Sequence, residues 1–175
     1  MSRPHILLTA PPRAGKTTVI RRLASLLGAA GVPVRGFLSD EVREHGHRVG
    51  FVVAEFGGDQ AVMAHVSWAS GPRIGRYAVN VPEFERVALP ALDRALAARG
   101  AVALVDEIGP MELLSPAFLP RCAALFKADL AVVATVHQRT RPSLKDFAGA
   151  ELITVTPENR DSLPETLSRL LAQGL

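Results

Sequence analysis

Ala10-Pro11-Pro12-Arg13-Ala14-Gly15-Lys16-Thr17-Thr18 is the stretch on which the fold turns. Before it runs His5-Ile6-Leu7-Leu8-Thr9, an apolar segment with the look of a buried strand. After it, Val19, Ile20, Leu23, Leu26 and Leu27 recur at helical spacing, so residues 16–30 read as a helix that Gly28 and Gly31 end. A loop closing on Gly-Lys-Thr between a strand and a helix is built to hold phosphate. Its backbone N–H groups wrap the oxygens, the helix adds its positive end, the lysine spans the terminal phosphates and the first hydroxyl faces Mg²⁺. Lys16 and Thr17 take the last two roles. Ala10 stands where the pattern usually has its first glycine, which is acceptable if φ there is negative, and Arg13 either reaches the phosphates or points to solvent.

Working outward, the pattern changes after residue 34. Short runs over residues 34–38, 48–54 and 60–64 are separated by polar turns at 44–47 and 57–59, as in strands joined by hairpins. Residues 68–81 are glycine-rich and read as irregular, and Pro82 opens a helix to Arg99. Ala101-Val102-Ala103-Leu104-Val105 is the next buried strand and runs into Asp106-Glu107; Ser115-Pro116 caps a helix reaching about Phe126. Ala131-Val132-Val133-Ala134-Thr135 is a further buried strand. Residues 137–150 read as a mobile basic loop, residues 151–155 as a strand, and Thr156-Pro157 as the start of a last helix with Leu163, Leu167, Leu170 and Leu171 on one side. Alternation of apolar strands with helices predicts an α/β fold of one domain over residues 1–175: a mostly parallel sheet flanked by helices, with a β-hairpin insertion.

Asp106-Glu107 supplies the second half of a phosphate site, because ligands of open parallel sheets gather at the carboxyl ends of the strands. Asp106 is placed to hold Mg²⁺ through water or Thr17, and Glu107 to orient and deprotonate an attacking water. The pair predicts a P-loop NTPase with a strand inserted between the two motif strands, for which residues 131–135 are the candidate. Lys16 and Glu107 are the catalytic candidates, Thr17 and Asp106 the metal candidates. The nucleotide-binding set is Ala10, Pro11, Pro12, Arg13, Ala14, Gly15, Lys16, Thr17, Thr18, Asp106, Glu107, Ile108, Gly109, Asn159 and Arg160, the last two able to edge or stack on a base. Arg76, Tyr77, Asn80, Thr135, His137, Arg139 and Arg141 are candidates for a lid or pocket wall.

With 48% hydrophobic residues the chain can bury a core without disulfides, and its one cysteine, Cys122, reads as packing. With one cysteine and no N-terminal apolar run long enough for a signal peptide or membrane span, the cytoplasm is the expected home, and a monomer the expected state. The net charge of +3 comes from arginines spread along the chain, and only 5% of residues are aromatic, which argues against a nucleic-acid platform. His45 and His47 flank a turn glycine and read as turn residues.

Taken together, the residues resemble a known family: small nucleoside-triphosphatases related to nucleotide kinases, described from thermophilic microbes and known in vertebrates as cancer-related nucleoside-triphosphatase. The resemblance rests on Gly15-Lys16-Thr17-Thr18, Gly36-Phe37 with Glu41-Val42-Arg43, and Gly75-Arg76-Tyr77-Ala78-Val79-Asn80 with Phe84-Glu85. It continues through Asp106-Glu107-Ile108-Gly109-Pro110-Met111-Glu112-Leu113, Ala134-Thr135-Val136 and Thr156-Pro157-Glu158-Asn159-Arg160-Asp161. It implies a RecA-like sheet and slow, Mg²⁺-dependent hydrolysis of ATP, GTP and other nucleoside triphosphates to diphosphate and phosphate, with broad base tolerance. Ala10 and Arg13 stand where that family usually has glycine, and Pro110 where it usually has lysine. A P-loop nucleotide or nucleoside kinase with an acceptor near residues 75–80 is the alternative reading, and a nucleotide-dependent switch or assembly module a second one.

Overall fold

The computed structural model describes residues 3–139, 144–147 and 149–173. Strand β1 (His5–Ala10) leads through the phosphate loop into helix α1 (Lys16–Ala29). Strands β2 (Val34–Glu44), β3 (His47–Glu55) and β4 (Gln60–His65) follow, then β5 (Arg73–Ile74) and β6 (Tyr77–Val79), then helix α2 (Val81–Ala97). The second half comprises β7 (Val102–Ile108), α3 (Phe118–Leu125), β8 (Ala131–His137), β9 (Glu151–Thr154) and α4 (Leu163–Gln173). The described strands form one sheet in the order β5-β6-β4-β3-β2-β7-β8-β1-β9.

Strands β2, β7, β8, β1 and β9 run parallel, and β8 separates the two strands that carry the phosphate loop and the acidic pair. From β2 onward β3, β4, β6 and β5 pair antiparallel, so the expected hairpin insertion extends one flank of the sheet. Strand alternation sends successive side chains to opposite faces. Ile6 and Leu8 pack with Val19, Ile20, Leu23 and Leu27 of α1 and Leu163, Leu167 and Leu171 of α4. Leu7, between them, packs on the other face with Phe84, Val87 and Leu92 of α2 and Phe118 and Cys122 of α3. Each such side chain taken fully out of water contributes roughly 1.5–3 kcal/mol of transfer free energy. Cys122 is wholly buried there, and burial pushes its thiol pKa up.

Several expectations need correction. Residues 68–81 are not wholly irregular: Gly75, at φ 58°, turns β5 into β6, and strands of two and three residues are too short to leave a periodic signal. Gly28 lies inside α1, which runs on to Ala29. The strand expected over residues 101–105 is β7, Val102–Ile108, with Asp106 and Glu107 in its carboxyl end as expected and Ile108 added beyond them. The helix expected from Ser115 starts at Phe118, because Ser115 precedes a proline and is extended (φ −84°, ψ 114°), and its hydroxyl donates to Glu85 Oε1 at 2.6 Å. The last helix starts at Leu163, not Thr156. Asn159 Oδ1 accepts from Thr156 N at 2.8 Å and Asn159 Nδ2 donates to Thr154 O at 2.9 Å, which shapes residues 156–162 as turns, and Pro164 is better tolerated in a first turn than in an interior. Leu170 is exposed, unlike the other three leucines of α4 named for its apolar side. Within the basic loop after β8, residues 140–143 and 148 lie outside the described residues, and the described part holds a 3₁₀ turn over Leu144–Phe147 that buries Phe147 edge-on to Phe126, with ring centroids 4.8 Å apart. No helix among the described residues is long and apolar enough to cross a membrane.

Candidate active site

The site begins with Gly15, which takes a left-handed conformation (φ 95°) immediately before α1, a geometry an L side chain resists. Arg13 is also left-handed (φ 64°) and is exposed in the loop. Ala10 ends β1, is buried and does not have positive φ, so its methyl is accommodated where a glycine is usual. Release of the chain into α1 sets Lys16 and Thr17 in the first helical turn, beside β7 and β8.

Thr17 Oγ1 donates to Asp106 Oδ2 at 2.8 Å, and Thr135 Oγ1 donates to Asp106 Oδ1 at 2.6 Å. Asp106 is 1% exposed, and burial raises its pKa to about 6 against the lowering effect of the two hydroxyls. A carboxylate whose two oxygens are held by neutral hydroxyls, at this depth, is a site whose charge a divalent cation would offset; with the Thr17 oxygen it forms the hard, all-oxygen donor set that suits Mg²⁺. Ser39 Oγ, from β2, donates to the Asp106 carbonyl at 2.8 Å and fixes the strand behind it.

Lys16 Nζ bonds the Val136 carbonyl at 3.2 Å and pairs with Glu107 Oε2 at 3.0 Å. Glu107 keeps a quarter of its side chain exposed (26%), whereas Lys16 keeps 11%. A Cβ built on Gly109 would stand 2.8 Å from Glu107 Oε1 and 3.0 Å from Glu112 Oε2, so a bare Cα is what lets both carboxyl groups lie over this turn. Glu112 had no assigned role in the sequence. It is 5% exposed, and burial first, then the charge of Glu107, raises its pKa to about 8. An acid set among Met111, Leu113 and Leu114 was the available signal, and so was the serine two residues past Phe37 for Ser39.

The remaining candidates separate. The guanidinium stem of Arg160 reaches the phosphate loop, with its Cδ 3.9 Å from where a Gly15 Cβ would stand. Asn159 lies in the turn before α4, not in a first helical turn, and its amide is taken up by the backbone bonds described above. Thr135 gives its hydroxyl to Asp106, and His137, at the end of β8, accepts from Arg139 N at 3.2 Å through Nδ1. Arg139 is exposed, and Arg141 lies outside the described residues. Asn80 caps α2 by accepting from Glu83 N at 3.1 Å, and Arg76 and Tyr77 form a separate cluster on the β5–β6 turn. His45 sits in the turn after β2 (φ 49°), and the described residues contain no cluster of three or more His, Cys, Asp or Glu side chains suited to a metal.

The profile of the NTPase family matches residues 5–168 of this chain, spanning the loop, the acidic pair and the turn that carries Arg160. The chain belongs to the NTPase family. Among the relatives of this NTPase, the nucleoside-triphosphatase THEP1 of Thermofilum pendens is 42% identical over 178 residues, covering 98% of this chain and 97% of the relative. The cancer-related nucleoside-triphosphatase of Homo sapiens is 34% identical over 178 residues, covering 91% and 92%. The crystal structure of THEP1 from the hyperthermophile Aquifex aeolicus superposes on the NTPase with a TM-score of 0.83 at 35% identity, over 95% of this chain and 98% of that one. The solution structure of the human protein gives a TM-score of 0.82 at 31% identity, over 97% and 98%. The fold is thus that of a P-loop NTPase, of the RecA-like order in which a strand lies between the two motif strands.

Proposed function

We propose that this chain hydrolyses nucleoside triphosphates to diphosphate and phosphate, with Mg²⁺ as its metal and broad tolerance of the base. One observation carries the reading: Lys16, Thr17, Asp106 and Glu107, from two stretches about ninety residues apart, meet within hydrogen-bonding distance at the carboxyl ends of β1 and β7. Thr17 and Asp106 would hold Mg²⁺, which when bound offsets charge on the phosphate oxygens. The loop amides and the N-terminus of α1 bind the phosphates. Lys16, paired with Glu107 at 3.0 Å, takes the terminal phosphate as its anion instead. That exchange frees Glu107 to accept a proton from water as the water oxygen bonds to the γ-phosphorus and the bond from that phosphorus to the bridging oxygen breaks. The diphosphate leaves with the bridging oxygen, and phosphate carries the oxygen that came from water.

Base tolerance follows from what reaches the base. Asn159 Oδ1 and Nδ2 each bond backbone in their own turn, which ties the amide to the turn; Arg160 offers a guanidinium plane, and every base has a π-face to stack on it.

A phosphate-release assay over a panel of nucleoside triphosphates, with and without Mg²⁺, tests this. Glu107→Gln should lower kcat by about 100-fold or more while nucleotide binding persists, and Lys16→Ala should weaken binding itself. Release of phosphate by the wild-type protein only when a nucleoside or nucleotide acceptor is added would replace this reading with the kinase one.

A further inference from the structure

Away from the phosphate loop, Tyr77 is 6% exposed, yet its hydroxyl accepts from two cations, Arg48 Nε at 2.9 Å and Arg76 Nη2 at 3.3 Å. The ring lies under both guanidinium groups, with the Arg48 and Arg76 carbons 5.7 and 5.3 Å from its centroid, and Arg48 also covers Phe51 at 5.2 Å. A phenol that takes two N–H bonds still has one O–H to give, and among the described residues it has no acceptor. Burial pushes the phenol pKa up, but the hydrogen bonds from Arg48 and Arg76 outweigh it and leave the pKa below its ordinary value.

The surroundings lack acid. Arg48 Nη1 and Arg43 share the single carboxylate of Glu41, and the next acid on this hairpin, Glu44, lies 3.9 Å from His65 Nε2. Arg73 bonds the carbonyls of Arg76 and Trp68, and Arg76 Nη2 bonds the Arg48 carbonyl at 2.5 Å; neither arginine pairs with a carboxylate among the described residues. Arg43 and Arg48 thus share one carboxylate while Arg73 and Arg76 bond only carbonyls and the Tyr77 hydroxyl among the described residues, a concentration of charge in a chain whose net charge is only +3.

The cluster also stands near the catalytic edge. On β2, Ser39 bonds the Asp106 carbonyl and Asp40 pairs with Arg21 of α1 at 2.5 Å; Glu41 follows, roughly 7 Å along the strand from Ser39.

We propose that Arg48, Arg76 and the Tyr77 hydroxyl form a second oxyanion site, which takes the phosphate group of a small phosphomonoester bound beside the nucleoside triphosphate. Phosphate suits it because a dianion accepts the Tyr77 O–H together with N–H groups of Arg48 Nη2 and Arg76 Nε and Nη1, which have no acceptor among the described residues. Arg48 Nε and Arg76 Nη2 meet at the Tyr77 oxygen and the rings beneath them are already covered by arginine, so the arrangement offers neither the track nor the free stacking faces that a polynucleotide needs. The inference is independent of the hydrolytic reading, since it concerns binding at other residues.

The test uses the full chain carrying Lys16→Ala, which removes the phosphate loop's ammonium. Inorganic phosphate and a nucleoside monophosphate are titrated by calorimetry in that background and again with Tyr77→Phe or Arg76→Ala added. Binding should persist in Lys16→Ala and fall about tenfold or more with either addition, as expected for loss of a charge-assisted bond. Tighter binding of the monophosphate than of inorganic phosphate would identify an ester as the occupant, and the reverse order would identify the free ion and overturn the ester assignment. Loss of all phosphate binding with Lys16→Ala, or indifference to Tyr77→Phe and Arg76→Ala, would overturn the site. So would binding confined to a single-stranded oligonucleotide. Should a variant fail to fold, the Tyr77 ring resonances of the unmodified protein decide the matter: a saturable shift with phosphate supports the site, and no shift overturns it.

Discussion

Burial of Glu112 beside Glu107 raises its pKa from an ordinary 4.5 to about 8, which ties the stability of the protein to pH. Below about 4.5 the group is protonated both folded and unfolded, and it costs nothing. Between 4.5 and about 8 the unfolded chain ionises while the folded one resists, so stability falls as pH rises, and above about 8 the cost levels off. Glu112→Gln keeps the shape of the protonated acid and has no proton to lose. Its melting temperature should exceed that of the wild type by at least about 3 °C at pH 9, and the gap should shrink steadily toward pH 5. A gap independent of pH, measured by thermal melts across that range, would show that Glu112 is not held neutral by the fold. At this same scale the catalytic candidates were legible in the chain. Lys16, Thr17, Asp106 and Glu107 sit in motifs whose spacing requires their chemistry. The Thr135 bond to Asp106, the engagement of the Asn159 amide and the role of Arg48 were not legible, because each depends on a partner between 3 and 29 positions away that no local pattern names.

Among the elements, β2 joins the parallel part of the sheet that carries the site to its antiparallel flank. Its first part pairs parallel with β7, Gly36 opposite Leu104, and its later part leaves the parallel sheet to build the antiparallel flank. Gly36 has φ 102°, and a Cβ there would stand 2.1 Å from the Leu104 carbonyl oxygen, which is backbone and cannot step aside cheaply. Gly36→Ala should therefore destabilise the protein by about 3 kcal/mol or more, read as a lower urea midpoint, and should disturb the Ser39 contact behind Asp106. An unchanged midpoint would show that β2 can shift its register without cost. Helices α1 and α2 were readable from their apolar stripes and terminal signals. The pair β5–β6 and the start of α4 were not, since the first is too short for a period and the second is decided by hydrogen bonds within a turn.

For the whole molecule, the phosphate loop and the acidic pair belong to strands β1 and β7 that touch only through β8. A ligand gripped by both acts as a strap across the sheet. An Mg²⁺-bound, non-hydrolysable triphosphate at 100 times its Kd should add roughly 2.7 kcal/mol, or about 5–10 °C in Tm for a chain of this size. Lys16→Ala should abolish most of that gain at the same ligand concentration; an equal gain in the variant would place the ligand elsewhere.

By itself the sequence determined the α/β class, the alternation that buries both faces of the sheet, the position of the phosphate loop and the acids that answer it. Those features are set by period, by glycine and by residue type, which act over a few neighbouring positions. Only the tertiary structure decided that Glu112 is buried near Glu107 with its pKa raised, that Arg160 approaches Gly15 while Asn159 serves its turn, and that Arg48 meets Arg76 over Tyr77. Burial and convergence are sums over the whole packed chain, so they exist only once the strands have taken their order in the sheet.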